Sequence, residues 1–445
     1  MPEKEARKHK KRSARMRLTD ESRLGYRALF MGVFAGLVTG VLVSLLRLIL
    51  TKADDMRELF LDSARQKFAL VLLGLVMLAF IAVCVIAVTR REPAGRGSGI
   101  PEVKDELSGR SDANWLQVLI ARFFGTILTV GSGLAVGREE AGVQLGAMTG
   151  KGLAHCGRRR KGDSGQNEGR LAHKKELLMT YGSGAGFAAA FGAPLAGVAF
   201  VLEKLRADFS RELLLGTMAA AITADFIGVY AFDLGPVFDF GAGADEMLPL
   251  TRMWMVALLG LILGVLGTFF NKTLSILSNV LRGLKPGAAR MMIPFVLLLV
   301  LCIWLPEALG SGSELIEAAG RDLLPVKAMF TFLAVKYVFS ALCCASGVPG
   351  GFMLPLMVIS ALAGGIFAEI VGAAAGFEEH YLSCFLILGM AGALSASLKA
   401  PVTAVLLLCE ITGSLNYLLP LSAVAVISYI TADALKAKPL FSLRI

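Results

Sequence analysis

Three consecutive charged residues, Arg138, Glu139 and Glu140, stand within residues 137–146 (GREEAGVQLG), between an apolar run at 123–136 and another at 141–153. An ionisable side chain at membrane depth costs about 3 kcal/mol even on lenient insertion scales, so three at the head of an expected helix point to a site rather than to packing. The plainer alternative is a polar loop at the membrane surface. The rest of the chain decides which setting applies. Of its 445 residues 55% are hydrophobic and only 18% charged, a balance that excludes an ordinary soluble domain of this size and predicts an all-α polytopic membrane protein. The 49 glycines predict short and interrupted helices, because Gly lets backbones approach and lets helices break.

Residues 1–25 are polar and carry nine basic side chains from Lys4 to Arg23. No cleavable signal peptide is expected there, and the positive-inside rule places this basic segment in the cytoplasm of a multi-pass cell-membrane protein. Such a tail sets topology and touches anionic lipid; no nucleic-acid motif accompanies it. The seven cysteines show no CxxC spacing and the four histidines no HExxH pair, so no metal, cofactor or disulfide framework is expected.

Residues 26–50 and 67–89 are long enough to span, with 51–66 as a polar link between them. Residues 90–110, charged and broken by Pro93 and Pro101, suit a re-entrant segment buried in protein. A basic loop at 155–176 is the second cytoplasmic one, and 177–202 is cut by Pro194. Residues 235–252 are the least apolar central stretch and divide a first membrane half, 26–234, from a second, 253–445. Beyond them, apolar segments of uneven length at 253–281, 291–304, 330–345, 352–375, 381–398 and 401–435 have the pattern of broken transporter helices.

A duplication supports the two halves. AFGAPLAGVAFVLE at 190–203 matches SLKAPVTAVLLLCE at 397–410, with Pro194 recurring at Pro401 and Glu203 at Glu410, each 207 residues on (401 less 194, 410 less 203). GREEAGVQLG at 137 matches GVPGGFMLP at 347 more loosely, at 210. Two homologous halves place a binding site near mid-membrane where broken helices meet. The segments to watch are 97–102 (GSGIPE), 137–146 and 347–355.

Each of those segments runs from glycines into residues able to start a helix, so each can aim free N–H groups and a positive helix end at one place. Such ends attract anions, and Ser98 adds a hydroxyl. A carboxylate at the same helix head, Glu139, can occupy the anion position when ionised and leave it when protonated.

These residues resemble the CLC chloride channels and chloride/proton antiporters: GSGIPE at 97–102, GREEA at 137–141 where the family has GREGP, GVPGGFMLP at 347–355 where it has GxFxP, with FFG at 123–125, GAPLAGVAF at 192–200 and KPLFS at 438–442. The resemblance implies a homodimer with one pore per subunit, two inverted-topology halves with broken and re-entrant helices, and a chloride site built from helix ends. The cytoplasmic CBS pair of some members is not expected. It further implies that Ser98, with Gly99 and Ile100, contacts the central chloride, that Phe352 and Met353 offer backbone amides, and that Glu139 is the gating glutamate. By the same resemblance, a serine at position 98 implies a preference for chloride over fluoride and nitrate.

Three departures from the family matter. The ion-contacting tyrosine falls at Phe441, which loses a donor but keeps a ring able to restrict access. The antiporters' inner proton-relay glutamate aligns with Lys204, with Glu203 one place earlier, about 100° round a helix. Glu140 and Ala141 replace Gly-Pro, so that the pair Glu139 and Glu140 either shares a proton or Glu140 points away. The lysine at the relay position makes a passive, proton-sensitive chloride pathway the expectation, ahead of strict chloride/proton antiport. An organic-solute transporter on the same plan is a further alternative; a membrane-embedded enzyme is disfavoured, since no nucleophile or metal constellation is evident.

Overall fold

The computed structural model describes the chain except for residues 1, 65–66, 157–165, 207–208, 236, 239–247, 285–286, 322, 376–380 and 443–445. Among the described residues there are sixteen α-helices and no strand. The first half holds α1 (Pro2–Ala64), α2 (Phe68–Arg91), α3 (Ile100–Leu107), α4 (Trp115–Gly131), α5 (Glu139–Cys156), α6 (Gln166–Phe191), α7 (Pro194–Phe200) and α8 (Arg211–Phe232). The second holds α9 (Met253–Arg282), α10 (Gly287–Trp304), α11 (Ser313–Gly320), α12 (Val326–Ala345), α13 (Met353–Ala375), α14 (Leu382–Leu398), α15 (Pro401–Thr412) and α16 (Leu418–Ala434). Most of the link 235–252, and Arg158–Lys161 of the basic loop, lie outside the described residues.

The halves repeat one packing plan. Helix α5 lies along α6 as α13 lies along α14, and α1 packs on α8 as α9 packs on α16. Tight crossings rest on glycine: a Cβ at Gly146 would enter the Gly182 carbonyl, and one at Gly389 would stand 3.3 Å from the Gly364 Cα. Both α6 and α14 end on a left-handed residue, Gly192 (φ 71°) and Lys399 (φ 58°). An Ala-Pro pair then starts α7 and α15. Their acidic residues cap each other's helices. Glu203 accepts from the N–H groups of Val402 (3.1 Å) and Thr403 (2.7 Å) at the head of α15. Glu410 accepts from Leu195 and Ala196 (both 2.8 Å) at the head of α7. This reciprocity is the twofold relation read from the 207-residue repeat.

Four expectations change. The link 51–66 is helix as far as Ala64, because residues 51–64 contain no Gly or Pro to end it. Much of the expected loop at 155–176 belongs to α5 and α6. The run 401–435 is two helices, α15 and α16, separated at the left-handed Gly413 (φ 65°). The loose match at 210 is replaced by one at 214 (351 less 137). Gly137 pairs with Gly351, and α5 and α13 start two residues later in each half. The glycine pair 350–351 hid this register, because Arg138-Glu139-Glu140 and Phe352-Met353-Leu354 share no residue type.

Candidate anion site

The three glycine segments meet. Gly97 donates its N–H to the Gly347 carbonyl (3.4 Å) and accepts from Gly350 (3.0 Å). Gly137 and Gly351 exchange both backbone hydrogen bonds at 2.7 and 2.8 Å. Thr129 adds a hydroxyl bond to the Pro349 carbonyl (2.5 Å). These links bring the heads of α3, α5 and α13, with their positive helix ends, to one place inside the protein. Gly99 enters α3 in the left-handed region (φ 81°), and the Gln144 side chain lies where a Cβ would stand.

Ser98 is buried, and its hydroxyl faces the Ile100 N–H at 3.4 Å, leaving its own proton free to donate. The loop is held from behind by Arg122, wholly buried, which donates to the carbonyls of Gly95 (3.4 Å), Gly97 (2.5 Å) and Ser98 (2.5 Å). Those carbonyls are turned towards the guanidinium, and the N–H groups of Gly95, Arg96 and Gly97 go to backbone carbonyls in turn, so the loop is held from both sides. Arg122 belongs to no motif in the sequence, and its one signal there is that it is a lone arginine at membrane depth. Phe352 and Met353 are buried at the head of α13. The Phe441 ring lies 5.2 Å from that of Phe352 and 5.9 Å from that of Phe200, closing this region with apolar surface where a tyrosine would bring a hydroxyl.

Glu139 and Glu140 are both fully buried in the first turn of α5. Neither carboxylate completes a hydrogen bond within the protein. They face different ways. Glu139 has Arg138 (Nε to Oε1 3.9 Å) and Arg47 as its cationic neighbours. Glu140 lies across Gly351, aimed at the backbone N–H groups of Phe352 and Met353. Arg47 was not singled out in the sequence; it is buried on α1 and donates to the carbonyls of Ala189 and Gly235, both at 2.9 Å.

Glu203 and Lys204 occupy a π-turn at Val201–Leu205, which packs on α3 and α6. Besides the two α15 amides, Glu203 accepts from the Thr403 hydroxyl (2.6 Å). The Lys204 ammonium donates to the Lys399 carbonyl (2.5 Å) and has Lys104 and Lys399 as cationic neighbours. The structure thus gathers Ser98, Gly99, Ile100, Glu139, Glu140, Phe352, Met353 and Phe441 around one junction, with Glu203 and Lys204 on a neighbouring turn.

Known proteins match over the same extent. A curated H(+)/Cl(-) exchange transporter ClcA from Salmonella schwarzengrund (strain CVM19633) is 28% identical over 439 residues, covering 96% of this chain and 89% of the relative. The ClcA of Cronobacter sakazakii (strain ATCC BAA-894) is 30% identical over 386 residues, 82% of this chain and 79% of its own. Among solved structures, a slow cyanobacterial Cl-/H+ antiporter superposes with a TM-score of 0.85 at 22% identity, covering 94% of this chain and 96% of the other. A CLC-type fluoride/proton antiporter gives 0.74 at 22% identity with the same coverage. At these identities the structures speak for the fold. The family model described as voltage gated chloride channel matches residues 77–433; the chain therefore belongs to the voltage-gated chloride channel (CLC) family.

Proposed function

We propose that this protein exchanges chloride for protons across a membrane, with Glu139 and Glu140 as carboxylates that compete with chloride at the heads of α5 and α13. The observation that carries this reading is the pair of fully buried carboxylates that lack a completed hydrogen bond beside two helix N-termini. A helix end that attracts one anion attracts another, so an ionised carboxylate and a chloride exclude each other there. Protonation neutralises the carboxylate, frees the amides for chloride and carries a proton into the site; loss of that proton on the other side reverses both steps. Ser98 and the amides of Phe352 and Met353 are the chloride ligands in this scheme, and Phe441 restricts the inner side.

Exchange displaces the passive pathway expected from Lys204, because the similar curated proteins are named as exchange transporters. A second reading, passive chloride flow, draws on one observation: Glu203 is engaged as the cap of α15, and Lys204 stands where the family keeps an inner carboxylate. Under exchange, Lys204 is the titratable group left at that position. The working form is a homodimer with the N-terminus in the cytoplasm, supported by exposed apolar residues such as Leu195 on α7 and Val402 on α15 and by the basic N-terminal segment.

The test is chloride efflux from weakly buffered proteoliposomes, with external pH recorded alongside chloride. Proton movement opposed to chloride in fixed ratio, lost in Glu139→Gln while chloride still flows, is the expected result. Chloride efflux without proton movement would establish the passive reading, and no chloride efflux would remove both.

A further inference from the structure

Away from the anion site, Arg90 at the end of α2, Arg96 before α3 and Arg290 in the first turn of α10 line one cavity of about 230 Å³, together with Gly287, Ala288 and Met291. The charged side chains that line it are all arginines. Arg96 and Arg282 are the charged neighbours of Arg290. Among the described residues no carboxylate forms an ion pair with Arg90, Arg96 or Arg290, and nearby Glu92 is turned to the Ala94 N–H (3.2 Å). The Arg96 Nε donates to the Thr89 carbonyl (3.0 Å), which fixes the guanidinium and leaves its outer nitrogens available. The Arg290 Nε is shut off from solvent with no hydrogen-bond partner. Arginines gathered without a counter-charge repel one another, and the first-turn N–H groups of the 18-residue helix α10 add to the positive field.

We propose that this cavity binds a phosphate group carried by an anionic membrane lipid. Several guanidinium forks around one volume match the many acceptor oxygens of a phosphate, for which arginine is the preferred partner. Its position supplies the lipid. Helix α1 leads across the membrane and α2 returns, so Arg90 lies on the membrane face that carries the basic N-terminus, where anionic headgroups are met. Above the cavity, Val83 on α2 and Val296 on α10 are exposed and offer an apolar wall to acyl chains. Occupancy reaches the transport machinery, because an Arg290 Nη lies 3.4 Å from the position a Cβ would take on Gly347, whose carbonyl accepts the Gly97 N–H. The proposal does not depend on whether chloride transport is proton-coupled.

Lipid retention and thermal unfolding of the purified full chain test it, in nanodiscs of phosphatidylcholine alone or with phosphatidylglycerol, and separately in detergent with inorganic phosphate. The wild type is expected to retain phosphatidylglycerol on native mass spectrometry and to unfold at higher temperature in its presence. Arg96→Gln with Arg290→Gln should cut retention about tenfold, whereas Arg211→Gln, a basic surface residue elsewhere, should leave it unchanged, as should the charge-keeping pair Arg96→Lys with Arg290→Lys to within a few fold. Equal loss in Arg211→Gln would mean general attraction of a basic protein to anionic lipid and would overturn the site. Stabilisation by inorganic phosphate without lipid retention would overturn the lipid as source, and no response to either would overturn the phosphate chemistry.

Discussion

Residues 97–99 and 310–312 both read GSG, and the chain builds the same loop around each. Each loop enters an eight-residue helix through a left-handed glycine, Gly99 (φ 81°) into α3 and Gly312 (φ 87°) into α11. Each is held from behind by a buried cation projecting from an apolar helix. Arg122 grips the carbonyls of Gly97 and Ser98, and Lys336, 214 residues on (336 less 122), grips those of Gly310 (2.9 Å) and Leu309 (3.2 Å). Each gives a glycine N–H to the other half, Gly97 to the Gly347 carbonyl and Gly310 to that of Gly133 (2.7 Å). The loops differ in what fills them. The Lys336 Cε and Nζ stand 2.9 Å from where a Gly312 Cβ would be, and Arg57 lies 3.0 Å from the same point on Gly310. Ser311 is turned to Ser313 (3.3 Å). In the first loop Gln144, a neutral side chain, takes the place beside Gly99, nothing lies within 4 Å of the corresponding point on Gly97, and the neighbouring helix opens with Glu139 and Glu140, where α13 opens with Met353 and Leu354. Duplication thus yields two loops of one backbone design that differ in the side chains set around them.

Arg122→Met separates the two loops most sharply. It leaves three inward carbonyls without their charged donor, at about 1.5–3 kcal/mol for each such bond, so chloride affinity in titration calorimetry is expected to fall about 100-fold. Lys336→Met should lower the unfolding temperature yet leave chloride affinity within about threefold. The reverse outcome would assign the ion to the second loop. The next effect in size is that of Glu140→Gln, which removes a charge aimed at the Phe352 and Met353 amides. Chloride should then bind about tenfold more tightly, a gain of about 1.4 kcal/mol; unchanged affinity would mean that Glu140 does not compete with the ion. The reciprocal caps should respond alike. Glu203→Gln and Glu410→Gln are each expected to cost about 1 kcal/mol in denaturant unfolding, with Glu203→Gln the larger because of its added Thr403 hydroxyl bond.

The sequence carried much of this plan, for physical reasons visible in single residues. Pro194, which cuts 177–202 in the sequence, and its repeat Pro401 each prove to open a helix, because Pro fits N1 and cannot continue a helix behind it. Three charges in an apolar setting marked the head of α5 because burial of charge is too costly without a role. The two GSG loops stand 213 residues apart (310 less 97), off the 207 and 210 shifts of the repeat, and three small residues are too short a match to signal a pair alone. The grips of Arg122 and Lys336 could not be read because their partners are carbonyls, which carry no residue identity. The division between Glu139 and Glu140 was likewise beyond the sequence: one residue along a helix changes the facing by about 100°, and only the fold shows that Gly351 lies on the second of those faces.

One difference between the halves is an electrostatic latch, and it gives the smallest effect. Buried Lys151 on α5 pairs with Glu106 at the end of α3 (2.7 Å) and with Asp112 beyond it (2.9 Å), and Lys175 also reaches Asp112 (2.6 Å). The place of Lys151 in α13, 214 residues on (365 less 151), is taken by Gly365, which can form no such pair with α11. The two lysines hold the Asp112 carboxyl down at about 2, chiefly through the hydrogen bond from Lys175 and then that from Lys151. A depressed acid stabilises the fold fully above its unfolded value of about 3.9. That stabilisation is lost as pH falls from about 4 towards about 2, because protonated Asp112 no longer attracts either lysine. Asp112 is mostly exposed, its side chain 76% open to solvent, so screening keeps the effect small. Hydrogen exchange at pH 5 and pH 3, corrected for intrinsic rates, should therefore show α3 losing protection in acid while α11 does not. In Asp112→Asn the two helices should change alike, and an equal acid response of α3 and α11 in the wild type would show that the latch does not set the two halves apart.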